Sequence, residues 1–296
     1  MKRKSDVTTI SNSLAMEIID YLGLPRRAPT LRYLNRLIHA YIRTVPWESV
    51  SRIIKRHITP ETKNCPRLPE EFWNDAMKYG YGGTCFESSL AFYSLLTALG
   101  YEGYLTVNDM GETRGCHAAV VIIIHGQKYM VDNTIPVHAA ARIDPQNIVR
   151  RRTALFDYKL RPISENKYEV ERSHRPSKNL FTLIDIPVNL PEYRTIMEND
   201  YLETGYFLKS VVMVKVVDEK AQRFFSDQLP YKLESFDRAG RMEKFIEPEN
   251  LPQAMAKIFQ MSEEGISAAL SWIQDPPDEP CDRALTLPMV LEGSVP

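Results

Sequence analysis

The stretch YGGTCFESSLAFYSLLTALGY, residues 81–101, constrains the fold more than any other. Residues 85–99 read as a helix, with Gly100 placed to stop it. Its apolar side chains, among them Phe86, Leu90, Phe92, Leu95 and Leu99, fall on nearly every side of the helical axis. A helix with no face to give to water belongs in an interior, with other elements packed around it. Gly82 and Gly83, just before it, let the backbone turn tightly or pass close to another group. Thr84 and Glu87 have the spacing of a capping box, which puts Cys85 at the first helical position. The free N–H groups and partial positive charge at that end favour a thiolate and predict a lowered thiol pKa.

Three zones follow from the patterning, with no internal repeat. Residues 1–103 read as helical: segments 14–22, 30–44 and 69–79 carry apolar residues at helical spacing, punctuated by prolines. Residues 104–215 read as strands, including YLTVN, the long run HAAVVIIIHGQKYMVDNT, NLFTLIDIPV and FLKSVVMVKVV. Residues 216–296 mix strand with a helix near residues 252–273 and end in a proline-rich, irregular tail.

A net charge of −1 gives no support to nucleic acid or an anionic membrane as partner. The basic start MKRK has no apolar core behind it to make a signal peptide, and the longest apolar run, residues 118–124, is too short to span a bilayer. The four cysteines, Cys65, Cys85, Cys116 and Cys281, include no CxxC, and their usage fits reduced thiols in a cytoplasmic protein. Cys65 and Cys281 read as small buried hydrophobes. The triple arginine in VRRRT, residues 149–153, reads as a solvated face that could also meet a phosphate.

A cysteine nucleophile needs a base to take its proton and a third group to orient that base. If the long strand pair turns on two residues, His125 and Gly126, then Ile124 pairs with Gln127 and Ala119 lies opposite Asp132. His117 and Ala119 share a face, so His117 and Asp132 become diagonal neighbours, within reach of an imidazole–carboxylate hydrogen bond. A three-residue turn would reverse the parity. Spacing alone leaves two readings open: a Cys85–His117–Asp132 triad, or a core cysteine, a strand-end histidine and a turn aspartate. Cys116 and His117 alternate to opposite faces, which argues against a metal site.

The chain resembles the arylamine N-acetyltransferase family. That family carries Arg-Gly-Gly-x-Cys-x-Glu-x-Asn, and this chain has Tyr81-Gly82-Gly83-Thr84-Cys85-Phe86-Glu87-Ser88-Ser89. The family's histidine opens a strand and its aspartate follows fifteen residues later, as Asp132 follows His117. Pro46-Trp47-Glu48-Ser49 matches an early Pro-Phe-Glu-Asn segment. The resemblance implies an α+β fold with an N-terminal helical bundle (1–103), a central β-barrel (104–215) and a C-terminal α/β lid (216–296). It implies a ping-pong acyltransferase of xenobiotic metabolism, with acetyl-CoA or another acyl-CoA as cosubstrate and no permanently bound cofactor. The acyl group would pass through a thioester on Cys85 to an arylamine, hydrazine or related small amine. Cys85 would be the nucleophile, His117 the base and Asp132 its orienting partner. Thr113 and Arg114 stand where a loop contacts CoA, and Ile135 where an aromatic would face the amine.

The departures are specific. Tyr81 and Ser89 replace arginine and asparagine, and the Asp-Val-Gly-Phe-like turn has become Asp132-Asn133-Thr134-Ile135-Pro136, without its glycine. Glu48 is expected to satisfy a helix end or a buried arginine. Two other readings share these residues: a thiol hydrolase or transglutaminase-like enzyme, and a family member that binds a ligand or partner without turnover.

Overall fold

Ser11 and Thr30 open the first two helices with side-chain oxygens that accept from the Leu14 and Tyr33 amides, and Pro69 stands in the first turn of the fourth. The computed structural model describes residues 9–134, 139–153, 155–173, 179–202 and 205–273. Its first part holds α1 (Asn12–Tyr21), α2 (Leu31–Thr44), β1 (Trp47–Glu48), α3 (Val50–Ile58), α4 (Pro69–Tyr79) and α5 (Cys85–Ala98). The all-round apolar helix is α5. Cys85 to Phe92, Ser94, Leu95 and Leu96 are all buried, and the helix lies between α4 and strands of the following sheet. Trp73 of α4 donates to the Ala91 carbonyl at 3.0 Å, which ties the two helices together.

The middle of the chain forms β2 (Glu102–Met110), β3 (Thr113–Ile124), β4 (Gln127–Val131), β5 (Ala141–Arg142), β6 (Val149–Arg152), β7 (Asp157–Ser164), β8 (Lys167–Arg172) and β9 (Asn179–Ile184). These eight strands make one antiparallel sheet in the order β5-β4-β3-β2-β9-β8-β7-β6. Its end strands β5 and β6 approach each other, so the sheet nearly closes into a barrel. Helix α6 (Leu190–Asn199) leads out of it. The last part holds β10 (Val212–Val217), β11 (Lys220–Phe225), β12 (Lys232–Asp237), β13 (Gly240–Phe245), α7 (Leu251–Phe259) and α8 (Glu263–Trp272). The architecture is the expected α+β arrangement of helices, barrel and α/β lid.

Several elements went unseen in the sequence. Val50–Ile58 is a helix although Arg52, Lys55, Arg56 and His57 crowd its nine residues. The pair Trp47–Glu48 becomes a strand only by pairing with β10, Trp47 opposite Val214, so the lid sheet runs β1-β10-β11-β12-β13. That is a non-local contact, which no local pattern announces. The single helix expected near 252–273 is two, separated at Gln260, whose φ of 57° ends α7. Among the described residues no helix is long and apolar enough to cross a membrane. Cys281 and the proline-rich tail lie outside the described residues.

Candidate active site

Both glycines before α5 are there because of close approach. A Cβ on Gly82 would stand 1.7 Å from the Pro46 carbonyl oxygen, and one on Gly83 would press on Arg67, Glu87 and Phe72 at 3.0–3.1 Å. Thr84 is the extended residue before the helix, as expected, but the capping box does not form. The Thr84 hydroxyl accepts from Arg52 Nη1 at 3.2 Å instead. Glu87 turns to a buried guanidinium: its Oε2 accepts from Arg67 Nε and Nη2 at 3.1 and 2.7 Å, and its Oε1 from the Arg67 amide at 3.0 Å and the Tyr201 hydroxyl at 2.5 Å. A charge-assisted fork outweighs a single cap hydrogen bond. Arg67 also donates to the Gly82 carbonyl at 2.5 Å, so a guanidinium does reach this loop, although Tyr81 stands in the arginine position. Tyr81 joins a hydrophobic cluster that includes Met213, Phe224 and Ile266 and stacks on Tyr79, ring centres 5.2 Å apart. Glu48 satisfies a helix end, accepting from the Ser51 amide of α3 at 2.9 Å, and also accepts from the Gly82 amide at 3.1 Å.

The β3–β4 hairpin has the register read from the sequence. His125 and Gly126 turn with φ of 50° and 76°, and pairing runs from Ile124 opposite Gln127 to Val120 opposite Val131. His117 Nε2 lies 2.7 Å from Asp132 Oδ2, with the two side chains 3% and 0% exposed. The other carboxylate oxygen, Oδ1, accepts from the Thr134 amide at 3.0 Å and the Thr134 hydroxyl at 2.8 Å. Phe181 packs on the imidazole, ring centres 4.6 Å apart.

Helix α5 meets β3 on both sides of His117. Cys85 Sγ points to the Cys116 carbonyl at 3.7 Å, and one turn on, Ser89 Oγ donates to the Ala118 carbonyl at 3.2 Å. Asn133, in the altered turn, donates to the Ser88 carbonyl of the same helix at 3.2 Å. So Ser89 and Asn133, departures from the family pattern, both lock the helix that Cys85 opens to the hairpin. Among the described residues no hydrogen bond joins Cys85 Sγ to the imidazole itself. The thiol does not have the lowered pKa expected of a helix start. Burial pushes it well up, and the Asp200 and Asp132 carboxylates add to the rise, against a backbone hydrogen bond from Ala118. Desolvation outweighs the helix end here.

Thr113 and Arg114 open β3, four and three residues before His117, at the hairpin with β2. Arg114 is exposed and its guanidinium pairs with Asp109. Ile135 and Pro136 lie outside the described residues. Among the described residues no group of three or more His, Cys, Asp or Glu could hold a metal ion. Sequence reasoning missed Arg52, Arg67, Asp200 and Tyr201, which lie under the start of α5. Arg52 pairs with Asp200 at 2.7 Å and stacks 4.3 Å from the Tyr201 ring. Nothing in the local sequence marks these residues, because their partners lie up to 148 positions away.

A family model described as N-acetyltransferase matches residues 30–262. The chain belongs to the arylamine N-acetyltransferase family. Solved structures agree in fold at low identity. The arylamine N-acetyltransferase from Mycobacterium abscessus is 15% identical with a TM-score of 0.76, over 93% of this chain and 100% of that one. The Mycobacterium marinum enzyme in complex with CoA is 15% identical with a TM-score of 0.74, over 88% and 99%. An arylamine N-acetyltransferase from Bacillus cereus with a Cys-His-Glu catalytic triad is 15% identical with a TM-score of 0.67, over 84% and 98%. No curated protein sequence matches the chain. Family membership and fold support acetyl transfer as the class of reaction.

Proposed function

We propose that the protein is an acyl-CoA-dependent N-acyltransferase that works by ping-pong through a thioester on Cys85. The observation that carries the reading is the buried 2.7 Å His117–Asp132 contact, with Cys85 and Ser89 bracketing His117 from the neighbouring helix. The carboxylate on Nε2 keeps the proton there, which leaves the Nδ1 lone pair free to act as base. Burial raises the thiol pKa and so favours the protonated sulfur of Cys85. As the Cys85 sulfur bonds to the acyl carbon, its proton passes to Nδ1. The C–S bond to CoA then breaks, and the CoA thiolate takes that proton as it leaves. In the second half the amine attacks and gives a proton to the imidazole, and as the C–S bond to Cys85 breaks the departing sulfur takes that proton, which restores the thiol. Free N–H groups at the start of α5 stabilise the oxyanion. Thr113 and Arg114, beside the site at the mouth of β3, are assigned to the CoA chain. The fold of the CoA-bound mycobacterial enzyme supports acyl-CoA as donor. A nucleophile that must stay reduced is in keeping with a cytoplasmic enzyme.

Intact-mass measurement after mixing with acetyl-CoA tests this. One added acetyl group is expected, mapped to the Cys85 peptide and lost in Cys85→Ser. An unmodified wild-type chain sinks the reading. Discharge to water as fast as to any aniline or hydrazine would make the protein a thiol hydrolase.

The raised thiol pKa has its own consequence. Thiolate is the reactive form, so alkylation of Cys85 by iodoacetamide should still be rising above pH 9, the ordinary thiol value. Mapped rates from pH 6 to 10 check this. A plateau reached below pH 7 would mean that the helix end and His117 overcome burial.

A further inference from the structure

The triple arginine has no role in the Cys85–His117–Asp132 chemistry above, but it borders a cavity. Between α2 and β6 lies a space of about 570 Å³, lined by residues that include Asn35, Arg36, His39, Arg151, Arg152 and Thr153. That is the size of a small-molecule site. Among the described residues no acidic side chain lines it. Arg36, Arg151 and Arg152 make no ion pair among the described residues, whereas Arg43, farther along the same helix face, is taken by Glu219.

The charge is organised by the fold. Arg32, Arg36, His39 and Arg43 are spaced along one side of α2, opposite the buried stripe Tyr33, Leu34, Leu37, Ile38, Tyr41 and Ile42. Across the cavity, Arg151 stands opposite Tyr158, and Tyr158 opposite Arg172, so three neighbouring strands put two guanidiniums on one face with a tyrosine between them. Arg151 Nε is buried without a hydrogen-bond partner, and so are Nε and Nη1 of Arg172, a side chain only 3% exposed. Arg172 rests on the Phe156 ring at 4.4 Å and has no carboxylate beside it among the described residues. An unmet buried donor costs about 1–3 kcal/mol, and more when charged. Of these two guanidiniums, Arg151 is the one that lines the cavity.

We propose that this cavity binds a phosphate-bearing small molecule, held by Arg36, Arg151 and Arg152. A planar guanidinium matches two phosphate oxygens at once, and Arg36 of α2 and the adjacent Arg151 and Arg152 of β6 all line this space. Asn35 fixes the wall by accepting from the Ala140 amide at 2.8 Å. The phosphate could belong to CoA or to another metabolite, and both offer the same group.

The proposal does not depend on the acyl-transfer reading, and equilibrium binding tests it. Inorganic pyrophosphate is titrated into the full chain by calorimetry at low salt and at 0.2 M salt, followed by CoA. Pyrophosphate is expected to bind, more weakly in salt, and to lose at least tenfold in affinity in Arg36→Gln and Arg152→Gln, two exposed positions where the fold is safe. Arg151→Gln should lose as much, with folding checked by its melting curve. Acylation at Cys85 by saturating acetyl-CoA should persist in all three. If CoA loses affinity in the same variants, the phosphates are those of the acyl donor. If CoA is unaffected while pyrophosphate is lost, the site serves a separate phosphorylated ligand. Absence of pyrophosphate binding at millimolar concentration, or binding equal in wild type and all three variants, overturns the proposal.

Discussion

Asp132→Asn is expected to slow acyl-enzyme formation by on the order of 10⁴-fold, the loss seen when a triad aspartate becomes an amide elsewhere. The geometry says which way the amide would turn. Thr134 donates to Asp132 Oδ1 from both its amide and its hydroxyl, and His117 Nε2 meets Oδ2. A carboxylate offers an acceptor on each side, whereas an amide offers one acceptor and one donor. Facing the backbone N–H of Thr134, the amide must present its oxygen there, so its NH₂ faces the imidazole. Nε2 then becomes the acceptor and the ring proton moves to Nδ1, which removes the base from the thiol side. The cation formed during transfer also loses its counter-charge. The side chain is fully buried and nearly isosteric, so the fold should persist. Single-turnover mass measurement with acetyl-CoA, alongside circular dichroism, reads the effect. A drop below tenfold with the fold intact would mean that Asp132 only shapes the turn.

The parts of the site that the sequence made legible are those governed by local rules. The placement of His117 near Asp132 follows from a two-residue turn and strand alternation, and the observed pairing of Ile124 with Gln127 has that register. The interior position of α5 follows from the absence of a polar face. The thiol pKa was misjudged because the helix-end argument is local while desolvation is not: Cys85 is 8% exposed and has Asp200 near it, 115 positions away in sequence. The capping box failed for the same reason. Thr84 and Glu87 have the right spacing, but Arg67 and Arg52 compete for them through the folded interior. Strand β1 and the ion network under α5 are likewise products of long-range packing, so no window of sequence contains both partners.

That network should also dominate stability near the site, and Arg67→Met is expected to cost about 3–5 kcal/mol at neutral pH. Arg67 is 2% exposed and donates to Glu87, Asp75 and the Gly82 carbonyl. Methionine fills much of the space but leaves the Glu87 carboxylate, also 2% exposed, with no counter-charge, only the residue-67 amide and the Tyr201 hydroxyl against it. Burial works against that carboxylate, and in the wild type Arg67 beside it, with the Tyr201 hydroxyl, holds its pKa below the usual value. A depressed folded-state pKa contributes stability that is full above the ordinary carboxylate range and is lost as pH falls through the lower, folded value. In Arg67→Met the sign reverses: burial without the guanidinium raises the Glu87 pKa, and protonation then relieves the variant as pH falls. The stability gap between wild type and Arg67→Met should therefore shrink from pH 7 to pH 5. Arg67→Met with Glu87→Met should recover part of the loss, because the stranded charge is gone. Denaturant unfolding of the two variants and wild type at both pH values measures all of this. A loss under 1 kcal/mol at pH 7, or a gap that widens on acidification, would show that the pair is solvated in practice and that the loop before Cys85 is held by Gly82 and Gly83 packing alone.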